Sequence, residues 1–169
     1  MRLPRFLVLA LLGAAVGAAP VAFPLLAMQS APAADQNLLL GTWQLNLAKS
    51  RYSPGPAPTS EIRTYAREGG GVEGTIRRNY RDGRSERIEY RADYDREYPV
   101  SGTEAYDHIL LKRIDDYTAE AVLSHAGRIF GTARRVIARD GKTMTITFQR
   151  DQSNGPTVHN VAVYDKEEK

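Results

Sequence analysis

From residue 60 onward, apolar and polar side chains mostly alternate with a period of two, and runs of this kind are separated by short turn signals. The runs are residues 61–67, 72–81, 84–94, 108–114, 118–125, 129–138, 143–150 and 157–164. Between them lie Gly69 to Gly71, Asp82-Gly83, Asp115-Asp116, Ala126-Gly127, Asp140-Gly141 and Asn154-Gly155. Aspartate or asparagine followed by glycine supplies the positive φ of tight hairpins, so successive runs are predicted to be antiparallel neighbours. A further strand is predicted at residues 42–47. The total of about 8–9 strands is too many for a flat sheet with two free edges, and no segment after residue 34 has helical periodicity. The predicted fold is all-β, an antiparallel up-and-down β-barrel.

Alternation also sorts the faces. Val72, Gly74, Ile76, Arg78 and Tyr80 share one side of their strand, and Glu86, Ile88, Tyr90, Ala92 and Tyr94 share one side of the next. Ile129, Gly131, Ala133, Arg135 and Ile137 follow the same rule, as do Met144, Ile146 and Phe148, then Val158, Asn160, Ala162 and Tyr164. These are the predicted inner faces. The small residues among them, Gly74, Gly131, Ala133 and Ala162, either let the wall bend or leave room for a guest. Trp43, the only tryptophan, begins the first strand and is predicted to close one barrel end. Residues 48–59, with Pro54, Pro56 and Pro58, are predicted to form a stiff loop over the barrel mouth.

The first 33 residues have another character. Arg2 and Arg5 precede an apolar run over residues 6–19, and Ala31-Pro32-Ala33 forms a small-x-small cleavage site. This pattern predicts a signal peptide over residues 1–33, a barrel domain over 34–169 and a periplasmic or secreted location. An uncleaved membrane anchor is the competing reading, opposed by Pro20 and Pro24, which interrupt the apolar extension. The formal charge of +3 includes Arg2 and Arg5, so the processed chain is near +1, and charge gives no case for a nucleic-acid partner. No cysteine is present, which removes disulfide and thiolate chemistry.

Gly41-Thr42-Trp43 matches the G-x-W signature of the first strand of lipocalins. With Gln44-Leu45-Asn46, Lys49-Ser50 and Asn160-Val161-Ala162-Val163-Tyr164-Asp165, the chain resembles a group of small exported bacterial lipocalin-like proteins. Asp116-Tyr117 is similar to the T-D-Y turn of lipocalins without its threonine. The resemblance implies a calycin-type barrel with Gly41 and Trp43 as structural residues, and a basic residue over the tryptophan, for which Arg135 and Arg150 are candidates.

Candidate chemistry is sparse. His108, His125 and His159 lack metal-ligand spacing, so neither a metal nor a cofactor is predicted. No serine lies in a G-x-S-x-G elbow, and Glu86 is expected to pair with Arg78 rather than act as an acid. No catalytic residue is assigned. Arg77, Arg81, Arg87 and Arg91 interleave with tyrosines but alternate with Glu89 and Asp93, as expected of a solvated outer face. The reading is a monomeric binding protein for a small hydrophobic or amphipathic ligand with an anionic head group, without stable membrane insertion after processing. Tyr80, Tyr90, Tyr94 and Phe148 would form the apolar wall, and Arg78 and Arg135 would meet the head group. The alternatives are a barrel filled by its own side chains and acting through its surface, or a barrel isomerase or cyclase.

Overall fold

The computed structural model describes residues 38–151 and 155–168. The predicted signal peptide lies outside the described residues. Among those described, no helix is long and apolar enough to cross a membrane.

Eleven strands form in chain order: β1 (Gly41–Leu45), β2 (Arg51–Ser53), β3 (Ser60–Glu68), β4 (Gly71–Asn79), β5 (Ser85–Ala92), β6 (Glu97–Ser101), β7 (His108–Arg113), β8 (Thr118–His125), β9 (Arg128–Ile137), β10 (Thr143–Arg150) and β11 (Val158–Lys166). From β3 to β11 each strand pairs antiparallel with the next, and β1 pairs with both β3 and β11. Ten strands thus close an all-β barrel. β2 resumes the course of β1 along the same edge of β11 after a 3-10 turn at Leu47–Lys49.

The hairpin signals set most of this. Glu68 pairs with Gly71 across the Gly69-Gly70 turn, and Asn79 pairs with Ser85 across the Asp82-Gly83 turn. Two strands had no clear signal. β6 contains Pro99, which lacks a ladder donor, and it pairs with β5 through only Ser101 and Val100. β2 lies inside the segment predicted as loop, whose proline-rich remainder, residues 54–59, leads into β3.

The predicted inner faces are buried or half-buried except at one point. Ile129, predicted to face inward, is 74% exposed. The register slips between Leu123 and Ser124, which pair with Gly131 and Ile129, so Phe130 is an extra, bulged residue. One extra residue reverses the faces before it, turning Ile129 outward and Phe130 into the barrel.

The end carrying Trp43 is solid. Trp43 packs in one cluster with Leu39, Val72, Ala92, Leu111, Ile137 and Met144. Its indole Nε1 donates to the Leu39 carbonyl at 2.8 Å. The basic residue over its ring is neither Arg135 nor Arg150 but Lys166, at the end of β11, whose ammonium lies 5.0 Å from the ring centroid and donates to the Leu38 carbonyl at 2.6 Å. Gly41 has φ of +121°, and a Cβ there would lie 3.2 Å from the Lys166 stem, so glycine precedes the plug for both reasons.

Candidate ligand cavity

Above this plug the barrel encloses a cavity of about 460 Å³. It reaches the opposite end, where the 54–59 segment, the β6–β7 loop with Thr103, Ala105 and Tyr106, and the ends of β10 and β11 contribute to its wall. That volume lies within the range of small-molecule sites, about 300–1,000 Å³.

One wall is ionic. Alternation along β3 turns Glu61, Arg63 and Tyr65 inward, and Glu61, 2% exposed, becomes the hub of a network. Its Oε1 accepts from Arg63 Nε at 2.6 Å and from the Tyr164 hydroxyl at 2.7 Å, and its Oε2 accepts from Arg78 Nε at 2.6 Å. Arg78 Nη1 also donates to Glu86 Oε2 and to the Tyr80 oxygen, both at 3.2 Å. Burial alone would push the Glu61 carboxyl up, but the Arg63 and Arg78 charges more than offset it and hold it down at about 2. The same burial, with Glu61 nearby, pushes the Tyr52 phenol up to about 12. Two guanidiniums are thus matched by two carboxylates, and this side of the barrel is charge-balanced without a guest.

The facing wall is aromatic and basic. Tyr106, Phe130 and Phe148 follow one another at centroid separations of 5.8 and 6.1 Å, with planes inclined by 36° and 31°. The Arg150 guanidinium covers the Phe130 ring at 4.6 Å, and its Nε is buried with no hydrogen-bond partner among the described residues. Arg135 is 7% exposed, lines the cavity and donates from Nη2 to the Tyr94 hydroxyl at 3.4 Å. Between the walls lie Ile76, Ile109, Leu111, Leu123 and Ile146.

Of the six residues predicted to meet a ligand, Arg78, Tyr80, Tyr90, Arg135 and Phe148 line the cavity. Tyr94 does not; it is half-buried against the core and reaches Arg135 through its hydroxyl. The small inner residues have a definite use. A Cβ on Gly74 would come within 2.5 Å of the Tyr90 ring, and one on Gly131 within 2.7 Å of the Phe148 ring, so these glycines seat the protein's own aromatics. Glu61, Arg63, Tyr106, Phe130 and Arg150 were not among the predicted contacts. Glu61 carried a signal: counting back from the Glu68–Gly71 turn pairs it with Arg78, and Arg63 follows on the same face two residues later. Tyr106 lies in a loop without periodicity, and Phe130 turns inward only because of the bulge.

The histidines stand apart. His108 Nδ1 lies 2.8 Å and His125 Nδ1 3.8 Å from the two oxygens of Asp107, and the exposed His159 is on β11. Among the described residues no group of three or more metal-ligating side chains assembles. On the outside, Arg87 pairs with Glu89 and Arg91 with Glu73, while Arg77 is exposed.

No protein-family model matches the chain, and no curated protein matches it.

Proposed function

We propose that the protein is an exported, monomeric, lipocalin-like carrier of a small, largely apolar molecule with an anionic head group. The observation that carries this reading is the 460 Å³ cavity, which reaches the loop end of a barrel whose other end is solid. Its wall combines aliphatic side chains with guanidiniums, a combination suited to an amphipathic anion. Arg78 is occupied by Glu61 and Glu86, so the reading gives the head group to Arg150, whose Nε has no hydrogen-bond partner among the described residues, together with Arg135, which lines the same cavity. The leader-like pattern of residues 1–33 and the G-x-W start of β1 support export and lipocalin kinship.

A barrel filled by its own side chains is the second reading. It is favoured by the Tyr90 and Phe148 rings, which occupy the space opened by Gly74 and Gly131. Native mass spectrometry of protein recovered from the cell envelope separates the two. A carrier shows an added small-molecule mass, retained by Arg134→Ala, whose side chain is outside and paired with Glu120, and reduced in Arg135→Ala. Apo mass alone favours the filled barrel.

A further inference from the structure

Resting on the carrier reading, we infer that the ligand is a planar, oxygen-bearing aromatic anion rather than an alkyl-chain acid. Three observations point the same way. First, six of the nine tyrosines line the cavity, and the hydroxyls of Tyr52, Tyr90 and Tyr106 make no hydrogen bond among the described residues. An alkyl chain would displace water from these donors and accept nothing from them, whereas ring substituents such as hydroxyl or carbonyl oxygens accept. Second, Tyr106, Phe130 and Phe148 form a run of tilted rings along one wall. A flat guest extends such a run at favourable offset or edge-to-face geometry, and a flexible chain gains only area. Third, one of the two basic groups on that wall, Arg150, has its guanidinium 4.6 Å from the Phe130 ring centroid. Its position places the anionic substituent beside the ring run, as in a carboxylate directly attached to an aromatic system. The opposite wall is neutralised internally through Glu61 and Glu86 and asks for no second charge.

The test is isothermal titration of the purified protein, expressed from its full coding sequence, with 3-hydroxy-2-naphthoate and with decanoate. The naphthoate is expected to bind at least about tenfold tighter, the scale set by ring contacts and hydroxyl pairing together. Phe130→Leu, which keeps apolar bulk and removes the ring, should weaken the naphthoate more than decanoate and so close most of that gap. Tyr106→Phe, which keeps the ring and removes the hydroxyl, should weaken the naphthoate severalfold with an unchanged circular dichroism spectrum. Equal or tighter binding of decanoate overturns the aromatic assignment and leaves the amphipath carrier standing. Failure of both probes to bind overturns both.

Discussion

Trp43 shows how much a single residue can carry. Its ring is fully buried, its one polar atom is satisfied by the Leu39 carbonyl, and the Lys166 ammonium covers its face. A residue so placed loses both transfer free energy and packing when truncated, so Trp43→Ala should cost about 3 to 5 kcal/mol in urea unfolding. The folded protein should also emit at short wavelength; an emission maximum typical of water would exclude the plug. This role was legible because a lone tryptophan opening a series of strands has few other uses. Its partner was not. Lys166 lies far along the chain in what reads as a charged tail, and only barrel closure brings the end of β11 beside the start of β1. Glu61 was nearer to legibility, since a hairpin of known turn fixes every cross-strand pair.

At the scale of elements, strands bounded by glycine turns were readable nearly to the residue, and β10 matches its predicted span. The misses have different causes. β2 exists because β11, distant in the chain, offers an edge beyond the end of β1, β6 is held to β5 by only two paired residues, and the bulge at Phe130 is a slip within the local β8–β9 hairpin that its turn signal does not reveal. Loop placement also depends on a contact outside the loop at Gly102. Its φ is +80°, and a Cβ there would fall 1.7 Å from the Arg87 carbonyl oxygen, so the start of the β6–β7 loop lies directly on the β5 backbone. Gly83, with φ of +86°, has nothing within 4 Å. Gly83→Ala should therefore cost about 1 kcal/mol, the left-handed backbone penalty alone. Gly102→Ala must also shift backbone and should cost about 2 to 4 kcal/mol more by thermal or urea unfolding. Similar losses for the two variants would show that the loop does not depend on this contact. Since Thr103, Ala105 and Tyr106 ride on the same loop, Gly102→Ala should also disturb the cavity mouth.

For the molecule as a whole, the ionic wall holds the barrel's seam. The chain's first and last strands meet at β1 and β11, and the Tyr164 hydroxyl on β11 reaches across to Glu61 on β3, which in turn binds Arg78 on β4. One carboxylate thus ties the two ends of the sheet from inside. Its folded-state value, about 2, lies below the ordinary 4.5, so its stabilisation is fully present above about pH 4.5 and is lost as pH falls toward 2. A shift of that size corresponds to about 3 kcal/mol at neutral pH. Glu61→Gln keeps the volume and removes the charge, leaving the Arg63 and Arg78 guanidiniums facing each other across a neutral amide. The variant should lose about 3 kcal/mol or more at pH 7, the range found when one partner of a buried pair is removed. Its stability should also fall less steeply than the parent's between pH 4.5 and pH 2. Urea unfolding across that interval measures both. Parallel pH profiles for the two proteins would place the acid sensitivity in half-buried carboxylates such as Asp107 and Asp165, which hydrogen bonds also hold below their usual range, and not in the seam.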